Sequence, residues 1–245
     1  MTYREAPAPS WIADSVACLW TTVATGHGSV LPDACVDIVH VEGHGAIVAG
    51  PDTAPVPGGV PAAGRVAGLR VRPGHASAVL GMPASALRDG RVALEDVWGP
   101  AGAELSRRLD DAGDTAVRQA LLVEAVGRRA VPPDPIAVGA VTLLAQDPAR
   151  RVGEVADALA VSERQLLRRV RAAVGYGPKT LARILRFQRL LALAEAADDS
   201  LAELALAAGY ADQPHMTGEV GRLAGAPPTA VVGVAAARGD RRLTR

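Results

Sequence analysis

One pattern occurs twice in the second half of this chain, and few folds accommodate it. In the first copy a short apolar run, Val152 to Leu159, leads through Ala160-Val161 to Ser162. A longer run then continues to Gly175 and Pro178. In the second copy Leu201 to Ala208 leads through Gly209-Tyr210-Ala211 to Asp212, and the longer run closes at Gly225-Ala226-Pro227-Pro228. Ser162 and Asp212 are helix-capping residue types, and Gln165 stands where a capping-box partner reaches back to Ser162. A glycine past a helix end and a proline at the next helix start are the expected punctuation. Pro214 is compatible with a helix because it falls in the first turn. Each copy therefore predicts a short helix, a tight turn and a second helix, the helix-turn-helix arrangement. Pro178 to about Ala194 predicts a connecting helix with Leu181, Ile184, Leu185, Leu190 and Leu191 toward the core. Such a helix is about 25 Å long, and it would set the two second helices roughly 34 Å, one DNA turn, apart. A further apolar helix, Ile136 to Ala145, precedes the first copy.

The helix after Ser162 is strongly two-sided. At 100° per residue, Leu166, Val170 and Val174 share one face, with Leu167 at its edge, while Arg164, Arg168 and Arg171 fall together on another. An arginine stripe opposite an apolar one suits a helix in the major groove; the plainer alternative is a solvated basic face. The charge distribution favours the groove. The whole chain has a formal net charge of +0. Yet Arg150 to Arg189 holds ten bases against Glu154, Asp157 and Glu163, which makes +7. Leu190 to Ala235 holds Arg222 against Glu195, Asp198, Asp199, Glu203, Asp212 and Glu219, which makes −5. A basic block inside a neutral chain is the footprint expected of a nucleic-acid surface.

The first half reads differently. Val16 to Val23, Val36 to Val41, Ala46 to Val48 and Val66 to Val71 predict short strands separated by Gly, Pro and Asp clusters, as in a small sandwich or barrel. Helical pieces follow at His75 to Leu80, Pro83 to Leu87, Ala101 to Leu109 and Thr115 to Arg129, the last with Leu121, Leu122 and Ala125 toward a core. Val131-Pro132-Pro133-Asp134-Pro135 ends the helix in a stiff link, which places a domain boundary near residue 133. With one Phe, three Trp and three Tyr, the core must be built from Ala, Val and Leu.

Chemistry is hard to find in this half. His40, Glu42 and His44, with Asp37 and His75 of similar type, allow a metal reading, but surface or turn histidines fit the spacing better. Cys35 reads as a small buried hydrophobe, and Arg70 and Arg72 read as a solvated strand face rather than an anion site. Two cysteines without a CxxC pattern argue against a disulfide framework and a cysteine-rich zinc site. There is no GxSxG, P-loop or GxGxxG. The N-terminus has no apolar targeting core, and no stretch is long and apolar enough to span a bilayer. The expectation is a cytoplasmic protein that is not an enzyme and needs no cofactor or metal.

Residues 136 to 232 resemble the DNA-binding domain of the AraC family of bacterial transcriptional regulators. The likeness is carried by VGEVADALAVSERQLLRRV, GYGPKTLARILRFQRLLAL, LAELALAAGYADQPHM and GRLAGAPPTAV, in the family's order. More weakly, LPDACVDIV and AGLRVRPGHASAVLGMPASALRDGRVALEDVWG resemble the small β-rich N-terminal domain of some members. The resemblance implies an α+β chain. Residues 1–133 would form a β-rich sensing or dimerising domain, barrel or sandwich-like, with helices. Residues 134–235 would form an all-α domain of two helix-turn-helix units joined by a long helix, and 236–245 a basic mobile tail. It implies double-stranded DNA as partner, with a small-molecule effector, RNA polymerase and a second copy of the chain as further partners. Arg164 and Arg168 fall where family members contact bases, and Gln213 and Thr217 stay polar at contact positions. Ser162, Glu163, Arg169, Arg171, Lys179 and His215 complete the expected contact set. Leu167, Pro214, Gly218 and Val220 depart from the family's usual residues; an arginine is common where Gly218 stands. Those departures keep open two other readings: a small-molecule-binding protein that reads DNA weakly, and a metal-dependent enzyme in the β domain.

Overall fold

The computed structural model describes residues 3–24, 29–57, 64–196 and 199–233. In the first half the valine-rich runs pair as β1 (Arg4–Pro7), β2 (Val16–Ala24), β3 (Ser29–Val30), β4 (Val36–Val41), β5 (Gly45–Ala49), β6 (Val56–Pro57), β7 (Gly64–Val71) and β8 (Arg91–Ala93). Six of these strands form one sheet, ordered β1-β2-β7-β4-β5-β8, with every neighbouring pair antiparallel. β3 and β6 form a separate two-stranded sheet. Of the two expected arrangements, the closed barrel is not formed: β1 and β8 remain edges, and the domain is sandwich-like.

Helices α1 (Ala76–Leu80), α2 (Leu94–Trp98), α3 (Pro100–Asp111) and α4 (Thr115–Arg129) cover one sheet face. The period of two puts Val36, Ile38, Val48, Leu69 and Val71 on that face, against Leu80, Leu94, Leu109, Leu122 and Val126. His40 lies in the same phase. It is fully buried, with Nε2 2.8 Å from Asp110 Oδ1 on α3, so it is a core histidine and not the surface or turn residue its spacing predicts. Only His44 is exposed at the turn, and Glu42 pairs with Arg118 of α4 at 3.3 Å. Among the described residues no three His, Cys, Asp or Glu side chains gather in a way that could hold a metal ion. The expected helix at Pro83 to Leu87 is a single 3-10 turn, Ala84–Ala86.

The opposite sheet face buries Trp20, Val39, Val41 and Val66. Gly68 is required there because a β-carbon would stand 2.1 Å from Trp20 Cε2. Its alternation predicts a solvated Arg70, but the side chain is held by carboxylates instead. Its Nε and Nη2 donate to Asp37 at 3.1 Å each, with Asp33 at 3.5 Å. Arg72 donates from Nε to Ala13 O at 2.8 Å. Both cysteines are free thiols; burial pushes Cys18 up to about 11 and Cys35 well above its ordinary value, which makes both poor nucleophiles.

The second half is entirely helical: α5 (Pro135–Gln146), α6 (Val152–Ala158), α7 (Glu163–Val174), α8 (Pro178–Ala196), α9 (Leu201–Ala208) and α10 (Gln213–Ala224). Leu144, Val155, Leu166, Leu181, Ile184, Phe187, Leu190, Leu204 and Met216 share its core. The predicted capping holds. Ser162 Oγ accepts from Gln165 N, and Gln165 Oε1 accepts from Ser162 N at 3.0 Å. Ser200 and Glu203 repeat the same box on α9, and Asp212 accepts from His215 N at 2.7 Å. The 19 residues of α8 span about 28 Å. Residues 131–134 run extended between α4 and α5, with Val131 58% exposed. The two halves nevertheless touch: Ala34 enters the helical core, and Gln188 Nε2 donates to Pro32 O at 2.7 Å. No helix among the described residues is long and apolar enough to cross a membrane. The basic tail expected at 236–245 lies outside the described residues.

Candidate nucleic-acid interface

The local sequence builds the first unit around α7. Leu166 and Val170 are fully buried and Val174 nearly so, which fixes the rotation of the helix on α5 and α8. Arg164, Arg168 and Arg171 are then exposed together, with Glu163 and Ser162 at the N-terminal end and Lys179 exposed at the start of α8. Among the described residues none of these three arginine side chains has an intramolecular ion pair or hydrogen bond, so their guanidinium groups are available to an external acceptor. Leu167 was expected at the edge of the apolar face. It is 49% exposed, beside Arg164 and Arg168, because Leu166 and Val170 already fill the core side.

Arg169 does not join that surface. Its Nη1 donates to both carboxylate oxygens of Asp134, at 2.9 and 3.0 Å, and Asp134 also caps α5 by accepting from Ile136 N. The pair ties α7 to the N-terminal end of α5 and engages this guanidinium, unlike those of the trio.

The second unit presents α10. Gln213, Thr217, Gly218 and Arg222 are exposed, and a β-carbon on Gly218 would meet nothing within 4 Å. Thr217 Oγ1 donates back to Gln213 O at 2.9 Å, which leaves its lone pairs outward. His215 is partly turned inward: Nδ1 accepts from Ala211 N at 3.3 Å, and Nε2 lies 3.4 Å from Glu219 Oε1. The ring meets Tyr210 edge-on at 5.5 Å.

Glu219 overturns part of the charge reading. It counts toward the −5 of the second stretch, but its side chain is 7% exposed and lies between α10 and α8. Arg186 Nη1 donates to Oε2 at 3.0 Å, and Arg183 Nε lies 3.2 Å from Oε1. Arg186 also donates to Pro148 O and lies 5.2 Å from the centre of the Tyr210 ring. The sequence held a signal for this: Met216, Glu219, Val220 and Leu223 follow the helical stripe, and the other three are core.

Away from these helices, a cleft of about 450 Å³ lies between the halves, lined by Arg72, Pro73 and His75 on one side and Val138, Val141 and Thr142 of α5 on the other. Burial, and then the charge of Arg72, hold the His75 imidazole below its ordinary value, which favours the neutral ring.

Residues 155–232 match the family model of a helix-turn-helix domain, and residues 4–93 match that of a domain of unknown function, DUF6597. None of the curated proteins compared with the chain matches it. Among solved structures, ToxT from Vibrio cholerae is similar. Its 1.65 Å form has 9% identity and a TM-score of 0.47, covering 95% of this chain and 98% of that one. ToxT bound to an unsaturated fatty acid has 9% identity and a TM-score of 0.44, covering 87% and 93%. ToxT bound to (E)-4-(8-methylnaphthalen-1-yl)but-3-enoic acid has 9% identity and a TM-score of 0.47, covering 96% and 100%.

Proposed function

We propose that the chain, whose residues 155–232 match a helix-turn-helix domain and resemble that of the AraC family, is a sequence-specific DNA-binding regulator of transcription, cytoplasmic and acting by binding rather than catalysis. The observation that carries the reading is the trio Arg164, Arg168 and Arg171. They stand exposed and without internal partners on a helix that is capped at one end and locked by buried Leu166 and Val170. Arginine forks on the early turns of such a helix are suited to guanine edges, and phosphates would take Arg171 and Lys179. Ser162, Glu163, Gln213 and Thr217 complete the contact surface, with His215 at its margin. The β-rich half is the control element, and the cleft between Arg72, His75 and α5 is where a small-molecule effector would bridge the two halves. RNA polymerase and a second copy of the chain are its further partners.

The test is quantitative binding to a selected site and to random duplex. Arg164→Ala or Arg168→Ala should lower specific affinity by the equivalent of about 1–3 kcal/mol and change random-duplex binding far less. Equal losses on both would reduce these arginines to phosphate contacts. The competing reading, a small-molecule-binding protein with weak DNA recognition, rests on the departures at Pro214, Gly218 and Val220 in the second unit, and it predicts no enriched site in the selection.

A further inference from the structure

The two helix-turn-helix units end alike, and both ends rest on one loop of the other half. Gly175 follows α7 and Gly225 follows α10, each in the left-handed region, at φ 103° and 65°. A β-carbon on Gly175 would lie 2.4 Å from Pro51 Cγ, and one on Gly225 would lie 3.2 Å from Pro55 Cγ. Pro51 and Pro55 belong to the connection between β5 and β6. Four residues reach at most about 14 Å, so the C-terminal ends of both exposed helices converge on one short segment.

That segment is itself held fast. Arg91 on β8 donates to Asp52 through Nη1 and Nη2 at 2.9 and 2.8 Å, and Asp52 is 7% exposed. Thr53 donates from N and Oγ1 to Asp89, and Asp89 N returns to Pro51 O at 3.1 Å. Beside it Tyr176, 2% exposed, follows Gly175 into the junction between the halves. Proline adds a fixed φ at both contact points. The loop is therefore a stiff strut that grows out of the sheet and touches both reading units.

We propose that Pro51 and Pro55 are positioning residues for DNA recognition: the β5–β6 loop braces the two helix-turn-helix units at a fixed separation, so that the chain reads the spacing between two half-sites. The inference rests on the DNA-binding reading above. The physical need is clear. One added base pair moves a half-site by about 3.4 Å and turns it by roughly 35° about the duplex axis. α8, the Glu219 pairs and the shared core join the units, and the freedom left to them is a swing of the ends of α7 and α10. A second tie at the helix ends removes that freedom. Because Arg91 anchors the loop from β8, a change in the sheet domain would reach both units at once.

The experiment uses the full chain. Sites are selected from a duplex library with a random 30-base-pair core, as a concrete design with three turns of about 10–10.5 base pairs. The winning site is then remade with one or two base pairs inserted or removed between the segments protected by the two units. The wild-type protein should lose about tenfold in affinity per base pair of misfit, the scale of one misplaced base contact. Pro55→Ala, and Pro51→Ala/Pro55→Ala together, should lose less than about threefold while binding the best spacing nearly as well. Hydrogen exchange on the free protein supplies the second readout. The same variants should exchange faster at the end of α10, where Gly225 N donates to Gly221 O at 3.0 Å. Unchanged exchange overturns the brace whatever the DNA result. Equal spacer discrimination in wild type and variants overturns it too, as does a wild type indifferent to spacing. Altered exchange with no site enriched by the wild type overturns the DNA-binding reading and with it the spacing role, leaving only a structural contact.

Discussion

Replacing Glu219 separates two opposite expectations for α10. If Glu219 faced the duplex, removing its charge would relieve repulsion, tighten binding to random DNA and steepen the salt dependence by about 0.9 in log–log slope. Its position predicts the reverse. Arg186 is 12% exposed at its side chain and is paired to Glu219 at 3.0 Å. Glu219→Ala leaves that guanidinium in a nearly dry site with no counter-charge, only Pro148 O and the Tyr210 ring, a change that costs about 3–5 kcal/mol. The Arg183 pair adds little, because Arg183 is 36% exposed and solvent screens it to about 0.5 kcal/mol or less. A domain of about 100 residues loses about 4–8 °C of Tm per kcal/mol, so Glu219→Ala should lower the Tm of the helical half by at least about 12 °C. Glu219→Gln keeps the shape and one acceptor and should cost about 1–3 kcal/mol. Thermal unfolding by circular dichroism, with random-duplex binding at two salt concentrations, reads both quantities. A Tm drop under about 4 °C together with tighter DNA binding would refute the buried-pair account.

Gly218→Arg should tighten binding to random duplex and increase its salt slope by about 0.9, since the position is exposed and a β-carbon there meets nothing within 4 Å. It should also stabilise α10 by roughly 0.5–1 kcal/mol through helix propensity, which is read from the denaturation midpoint; weaker DNA binding would count against α10 as a contact helix. Brief proteolysis should cut at 131–134, where the chain runs extended and Val131 is 58% exposed, and a resistant core spanning residue 133 would count against a two-domain chain. His75 has a folded pKa below its ordinary value, so the fold takes up this proton less readily than the unfolded chain, which does so near pH ~6.5. Its contribution is complete above that pH and is lost as pH falls through it. The denaturation midpoint should therefore drop more between pH 7.5 and 5.5 (chosen about one unit either side of 6.5) in the wild type than in His75→Gln, and equal drops would remove His75 from the titration.

Elements with their own punctuation were legible in the sequence to the residue. Val36–Val41, Thr115–Arg129 and Leu201–Ala208 have the bounds their patterns predict, because a turn, the Asp114 cap and the Ser200–Glu203 box mark them locally. β1, β3, β6, β8 and α2 went unseen. β1 is exposed at all four positions, so it carries no alternation, and it is a strand only because β2 pairs with it. The misread side chains share one cause. His40 meets Asp110, Arg70 meets Asp37, Arg169 meets Asp134 and Arg186 meets Glu219, each at least 33 residues away. Residue type and phase place a side chain on a face, but they do not disclose the partner that the fold delivers to it. The phase alone did put His40 with Val36 and Ile38, and Glu219 with Met216 and Val220, so their burial was readable where their pairing was not.

That distinction bears on how the two units divide the work. Summed along the sequence, the first unit carries +7 and the second −5, which casts α10 as repelled by a phosphate backbone. In the fold three of the ten bases, Arg169, Arg183 and Arg186, are held by carboxylates, and Glu219 is withdrawn with two of them. Of the remaining acids of the second stretch, Glu203 accepts from the N-cap amide of Ser200 at the start of α9 and Asp212 from the first-turn amide of His215 on α10, where the helix dipole favours negative charge for local reasons. The outward face of α10 is left with Gln213, Thr217, Gly218 and Arg222, close to neutral rather than acidic. A neutral face can lie against phosphates through amides and hydroxyls without repulsion, yet it releases few counterions, so it adds little affinity. Under the proposed function α7 supplies most of the binding energy through Arg164, Arg168 and Arg171. A second unit with little affinity of its own contributes chiefly by where it is held. Base substitutions beneath α10 should therefore cost less than those beneath α7, and less than a change in the spacing between them.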